Sequence, residues 1–336
     1  MGYAMKRKIP LLVFSAILIG GLCSAQQKLA QTGMKFLNYG TDPRAVALGE
    51  AVTSIEWSST ALFYNPATMA RLDATGSLAA GSTRWIADIN YYYASLAIAP
   101  FGQDIGIFGF TVQSVDYGEI QETILSGNER GFLDVGSFKP TGLALGVGYA
   151  RALSDKFSVG GQVKLVFQNL GSGVTDIVNG EYVRQGFKQD VPAFDFGILY
   201  RTGYKSLNFG MTVRNFATEV TYVEESFQLP LTFKIGVSMN MFDLTSLDHE
   251  YHSLLLAFDA EHPRDFPEQI RLGLEYEFAQ TLALRAGIVT PNDEYNYSLG
   301  LGLHRNMAGV ILGVDYSFTI MDHFNDVHRF ALQIGL

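Results

Sequence analysis

Across residues 268–336, apolar and polar positions alternate almost without a slip. Ile270, Leu272, Leu274, Tyr276 and Phe278 share one parity; Gln269, Arg271, Gly273, Glu275 and Glu277 share the other. The alternation recurs in Leu282/Leu284/Ala286/Ile288, Tyr295/Tyr297/Leu299/Leu301/Leu303, Val310/Leu312/Val314/Tyr316/Phe318 and Phe330/Leu332/Ile334/Leu336. A strand sends successive side chains to opposite faces, so each run has one greasy face and one polar or glycine-rich face. Runs of about ten residues suit a tilted strand crossing a bilayer, whereas strands of soluble sandwiches average about five or six. The pattern predicts an all-β fold, a transmembrane antiparallel β-barrel.

Period-two runs and turn signals place about fourteen strands, near residues 76–84, 89–99, 104–116, 141–151, 156–169, 192–201 and 206–216 in the first half. The second half continues near 229–240, 252–262, 268–278, 281–290, 295–304, 308–319 and 328–336. An even count puts both chain termini on the periplasmic side, with short turns there and longer loops outside. Segments 117–140, 170–191 and 217–228 read as such outer loops. Two connections break the rule: 241–251 is long for a periplasmic turn, and 85–88 is short for an outer loop. Either both are unusual or the register slips by one strand.

Ahead of the barrel, residues 1–25 read as a signal peptide. Lys6, Arg7 and Lys8 form its positive start, residues 9–22 its apolar stretch, and Cys23-Ser24-Ala25 its small-residue cleavage site. Leu22 is bulky where lipidation at Cys23 would want a small residue. Loss of the only cysteine with the signal excludes a disulfide framework and cysteine-based metal or redox chemistry.

Residues 26–75 do not alternate. Asp42-Pro43-Arg44 reads as a capped helix start, with a helical run over 45–52. A second apolar stretch, 61–64, breaks at Asn65-Pro66 and resumes over 67–72. A partly helical segment of this kind before a barrel is most simply a lumen plug, followed by the barrel itself over 76–336.

The net charge of −9 becomes more negative by three once the signal is removed, which argues against nucleic-acid partners. Hydrophobic residues make up 48% of the chain, yet beyond the signal no apolar run approaches the roughly eighteen residues of a membrane helix. Outer-membrane lipid is therefore the expected surrounding.

The lumen parity carries Lys164, Arg201, Arg214, Lys234, Arg271, Arg285 and Arg329 against Asp195, Asp259, Glu261, Glu275, Glu277 and Asp315. Signs this balanced suit pairing across the lumen and docking of the plug better than an ion-selective pore. No G-x-S-x-G elbow or Ser–His spacing suggests a hydrolase. His249 and His252 with Asp248 and Glu250, and His323 with Asp322 and Asp326, read as solvated turns rather than metal sites. The glycine pairs Gly146/Gly148 and Gly300/Gly302 read as strand glycines facing a crowded interior. No residue pattern calls for a cofactor, and no enzyme is expected.

The N-terminal segment carries a specific resemblance. Asp42-Pro43-Arg44-Ala45-Val46-Ala47-Leu48-Gly49-Glu50-Ala51, then Ser59-Thr60-Ala61-Leu62-Phe63-Tyr64-Asn65-Pro66-Ala67, is similar to the opening motif of the PorV/PorQ family. The end, from Gly313-Val314-Asp315-Tyr316 through His328-Arg329-Phe330, resembles that family's last hairpin. Leu336 and Thr68 depart from the family pattern, which favours a terminal aromatic and a glycine there. The resemblance implies a FadL-like outer-membrane barrel with an N-terminal hatch. Its motif positions are Arg44, Gly49, Asn65, Pro66 and Ala67. It further implies a non-enzymatic accessory of type IX protein secretion, whose partners are exported proteins or secretion-machinery components. A FadL-like channel for hydrophobic small molecules is the alternative. Against it, a ligand tunnel should place apolar residues on the lumen parity, where charges dominate.

Overall fold

The structure, a computed structural model, describes residues 32–72, 74–179, 181–222, 225–245 and 251–336. The signal-peptide assignment, the first six residues assigned to the plug, and Asp248, His249 and Glu250 lie outside the described residues. The strands of the first half are β1 (Gly76–Arg84), β2 (Asn90–Ile98), β3 (Ile107–Asp116), β4 (Ile120–Leu125), β5 (Phe132–Phe138), β6 (Thr141–Ala152) and β7 (Phe157–Val178). Then come β8 (Glu181–Arg201), β9 (Asn208–Phe216), β10 (Val220–Tyr222), β11 (Glu225–Phe227) and β12 (Thr232–Asn240). The last run is β13 (His252–Pro263), β14 (Gln269–Phe278), β15 (Leu282–Thr290), β16 (Tyr295–Met307), β17 (Val310–Met321) and β18 (Val327–Gly335).

Fourteen of these close into one antiparallel barrel, in the order β1-β18-β17-β16-β15-β14-β13-β12-β9-β8-β7-β6-β3-β2. The seam is a regular ladder between β1 and β18, from Ser77 opposite Gly335 to Arg84 opposite His328. Closure leaves no sheet edge, so the backbone groups of the wall pair strand to strand without water. The alternation predicts the faces correctly: Leu272, Leu274, Leu284, Leu299, Leu301, Phe330 and Leu332 are exposed outward, while Arg271, Glu275, Arg285 and Asp315 are buried inward. Exposure of so much large apolar surface is tolerable only against lipid. This is an outer-membrane β-barrel.

Each of the fourteen barrel strands overlaps the stretch expected for it, and the register does not slip. The two awkward connections are simply unusual. The outer turn after β1 is tight because Ala87 and Asp88 adopt left-handed backbone, and the segment after β12 opens with a 3₁₀ turn, Met241–Leu244. The outer segments need correcting. Part of 117–140 forms the β4–β5 hairpin, and β7 and β8 continue pairing beyond Asn169 and Lys188 to Val178 and Glu181. Water wets both faces of these extensions, so no period-two signal marks them. Register shifts at Asn169/Ser172 and Val174/Asp176 blur it further.

The plug's helix is also shorter than expected. It covers Pro43–Ala47, labelled α1, and is capped by Asp42, whose Oδ1 accepts from Ala45 N at 3.0 Å. Gly49 and Glu50 then take φ of +61° and +58°, which ends the helix where a run to Val52 was expected. The later apolar stretches are 3₁₀ turns, Ser59–Phe63 and Pro66–Arg71. The chain threads the lumen from end to end. Gly33 N donates to Gln228 O beside the outer hairpin β10–β11, whereas Arg71 Nη2 donates to Ser154 O at a short turn of the opposite end.

Leu301→Arg should place a charge on the lipid face near mid-membrane and cost about 2–4 kcal/mol. Reversible urea unfolding in liposomes measures this; a cost no larger than that of Leu301→Ala would show the face to be wet.

Candidate functional site

The plug is held by side chains that the barrel aims inward. Arg44, on α1, makes a bidentate pair with Glu275, Nε to Oε2 at 2.9 Å and Nη2 to Oε1 at 2.7 Å, and its guanidinium lies 4.6 Å from the Trp57 ring centroid. Glu275 also accepts from Arg285 Nε at 2.5 Å, and Arg285 Nη1 reaches Asp315 Oδ1 at 2.5 Å. Signs alternate along this chain, so each buried charge has its counter-charge. A second cluster joins Glu261 to Lys234 at 3.0 Å and to Arg271, whose Nη1 donates to Gly49 O at 3.1 Å. Asp259 accepts from Thr53 N and Thr53 Oγ1, at 3.0 and 2.6 Å.

A third cluster sits at a bulge. Between β8 and β9 the register shifts so that Arg214 and Asn215 both turn inward, with Asn215 at φ +59°. Lys164 pairs with Asp195 at 2.8 Å and donates to Asn215 Oδ1 at 2.5 Å. Asn215 Nδ2 in turn donates to Asn38 Oδ1 at 2.8 Å, and Arg214 Nη2 to Leu37 O at 3.2 Å. The structure thus brings every charge of the expected lumen set, Lys164, Asp195, Arg214, Arg271, Glu275, Arg285 and Asp315, into one of three groups around the plug. Within the plug itself, burial and the nearby Asp315 push the Asp42 carboxyl above the usual range. Tyr93 Oη donates to its Oδ2 at 3.3 Å.

Barrel glycines meet the plug's remaining motif residues. A Cβ on Gly287 would stand 2.0 Å from Gly49 N, one on Gly197 1.9 Å from Asn65 Oδ1, and one on Gly160 2.6 Å from Ala67 N. Asn65 braces two layers at once: Nδ2 donates to Thr53 O at 2.7 Å and to Ile198 O of the barrel at 3.0 Å, while Oδ1 accepts from Ala67 N at 3.1 Å. Pro66 opens the following 3₁₀ turn, where its missing N–H costs nothing.

Above the plug lies a cavity of about 330 Å³ at the outer mouth. Its walls include Tyr39, Trp85, Phe266 and Tyr295, and Glu50, Glu261, Arg271 and Arg329 sit deep within it. Tyr39 and Trp85 meet edge-on, with ring centroids 4.6 Å apart. Sequence reasoning missed this site because the plug, three separate outer connections and the strands beside them all contribute to it. The Pro263-Arg264-Asp265-Phe266-Pro267 stretch was its one local signal. Beside it, Met34, Phe36 and Leu37 pack with Tyr91, Val115, Ala144, Val166, Val191 and Ala193, so the β2–β6 side of the outer lumen is apolar. Among the described residues no group of three or more His, Cys, Asp or Glu is placed to hold a metal.

No family model and no curated protein matches this chain in sequence. Solved structures do match in fold. The toluene transporter TodX of Pseudomonas putida is 13% identical over 92% of this chain and 98% of its own, with a TM-score of 0.58. The monoaromatic hydrocarbon channel CymD is 12% identical over 88% and 96%, with a TM-score of 0.55. A FadL homologue of Pseudomonas aeruginosa is 12% identical over 88% and 97%, with a TM-score of 0.54. The architecture is that of a FadL-like barrel.

Glu275→Ala should strip Arg44 of its carboxylate and leave a buried charge uncompensated, a cost of about 3–5 kcal/mol. Trypsin should then cut after Arg44 at least about a hundredfold faster, while the boiled-versus-unboiled gel shift shows an intact barrel. Unchanged cleavage would mean that Glu275 does not hold the plug.

Proposed function

We propose that this protein admits small apolar or amphipathic molecules through the outer membrane, taking them in at the outer cavity. In this reading a signal peptide over 1–25 is removed, residues 26–75 are the plug, and residues 76–336 are the wall. The cavity carries the proposal: aromatic on its walls, polar at its depth, and floored by the plug's first turn, Lys35–Asn38. A 330 Å³ space suits a ligand of one ring or a short chain. The main objection from sequence, that charges dominate the lumen parity, weakens once the charges are located. They occupy mid-lumen, the bulge on β7–β9 and the β12–β18 side, where they hold the plug, and leave the β2–β6 side of the outer lumen apolar. The hydrocarbon channels of similar fold support the same reading, and no catalytic role is proposed.

Deleting residues 26–75 behind the signal should leave a wall able to insert, since its hydrogen bonds are self-contained. The truncated barrel should conduct ions in planar bilayers, with the intact protein silent and yet carrying a small hydrophobic probe into liposomes. Equal conductance from both forms would show that the plug is not a seal; no probe uptake by the intact form would remove the transport reading.

A second reading, a PorV/PorQ-type secretion accessory, is favoured by one observation besides the motif. The β7–β8 extension and the β4–β5 hairpin rise past the lipid belt with Ile177, Val178, Tyr182, Val183, Leu125, Phe132 and Leu133 exposed. They are braced together by Arg184 Nη1 donating to Glu122 Oε2 at 2.8 Å. Replacing residues 172–186 with a two-residue turn should abolish export of secreted proteins while sparing probe uptake if this surface docks them. Normal export in that variant would discard the accessory role.

A further inference from the structure

We propose that the outer cavity is a binding site for a small zwitterion with an apolar side chain, an amino acid or a molecule of the same head-group chemistry. The inference rests on the uptake reading for the direction of traffic but not for the site itself.

The cavity's charges sort themselves. Lys35 is paired with Asp265, which also accepts from Thr32 Oγ1 at 2.7 Å. Lys234 and Arg271 both close on Glu261. Two groups are left incompletely served. Arg329 is only 2% exposed; its Nε donates to Gly40 O at 3.1 Å and its Nη1 to Thr319 Oγ1 at 2.8 Å. Its guanidinium lies 5.3 Å from the Trp85 ring centroid. Among the described residues it has no carboxylate in ion-pair range, and its Nη2 has no partner. Glu50 is 5% exposed; its oxygens lie 3.7 Å from Lys234 Nζ and 3.8 Å from Arg271 Nη1, too far for a hydrogen bond.

These two groups share one floor. Gly40 accepts from Arg329, and a Cβ on Gly40 would stand 2.6 Å from Glu50 Oε1. Glu50 is held there by left-handed backbone, φ +58°, a conformation costly for a residue with a side chain. A buried guanidinium whose nearby countercharge, Glu50, lies beyond ion-pair range, and a buried carboxylate with cations near but no hydrogen-bond donor, are each only partly compensated. A ligand with a carboxylate for Nη2 and an ammonium for Glu50 satisfies both, and adds no net charge to the pocket. Its side chain would lie against Tyr39, Trp85 and Phe266.

Other classes fit less well. A simple carboxylic acid serves Arg329 alone and must pass Asp293 and Glu294, both exposed at the mouth. A hydrocarbon serves neither group.

Calorimetric titration of the detergent-purified full-length protein tests this with four probes of one ring: L-phenylalanine, 3-phenylpropionate, 2-phenylethylamine and toluene. Phenylalanine should bind at least about tenfold tighter than each of the others, because a site built to hydrogen-bond a group rejects analogues lacking it. Arg329→Gln should reduce phenylalanine to the level of 2-phenylethylamine, and Glu50→Gln to that of 3-phenylpropionate, both leaving toluene unchanged. Should either variant fail to fold, the wild-type ranking still decides. Equal affinities, tighter binding of the acid or of toluene, or no binding of phenylalanine would overturn the proposal. Phenylalanine binding without probe uptake in liposomes would keep the site and remove the transport reading; toluene uptake without phenylalanine binding would do the reverse.

Discussion

Inside hydrocarbon an unpaired backbone N–H or C=O costs several kcal/mol, and the closed ladder answers that cost. The β1–β18 seam is as regular as the pairs within the wall. Once the sheet is closed, its two faces see different solvents, and the period-two alternation follows from that difference alone. Closure also creates a second problem. A ring of fourteen strands encloses more space than its own side chains can fill, so the lumen needs an occupant or stays open to water.

Residues 32–72 are that occupant, and their fit explains the lumen's composition. Where plug backbone passes close to the wall, the wall carries glycine, as at Gly160, Gly197 and Gly287. Where the plug presents polar atoms, the wall carries charge, and the charges are laid out with alternating sign through Arg44, Glu275, Arg285 and Asp315. Such a network is weak as a source of net stability, because desolvation offsets most of the attraction. Its strength is selectivity. Misplacing the plug by one turn would strand several charges at once, so one seating is strongly preferred over its neighbours.

The barrel was legible in the sequence because lipid enforces alternation at every position it touches, down to the individual faces of Leu301 and Ser298. Legibility ended where lipid ended. The β7–β8 extension is flanked by water on both sides, and residues such as Gly173, Thr175 and Asp176 carry no period. The charges on the lumen parity were visible, but not their partners. Arg214 with Leu37 and Arg329 with Gly40 are contacts to plug backbone, which no residue pattern encodes. The outer cavity was invisible for a related reason: Tyr39, Trp85, Phe266 and Tyr295 come from distant segments that only closure brings together.

The plug is fixed unevenly along its length, and this bears on how a sealed barrel can still be a route. From α1 to Arg71 it meets the wall through buried ion pairs, a two-layer Asn65 brace and glycine contacts that admit no slack. At its outer end it is held more lightly. Beyond the Lys35 contact to Asp265, the Lys35–Asn38 turn is fastened mainly by single hydrogen bonds from Gln113, Arg214 and Asn215. Each bond of this kind contributes about 0.5–1.5 kcal/mol net, or more where a charge takes part, and the turn rests on an apolar surface that a ligand of similar character can replace. A ligand entering the outer cavity therefore competes with the weakest part of the seal, whose own ion pair, Lys35 with Asp265, stands in that cavity's wall.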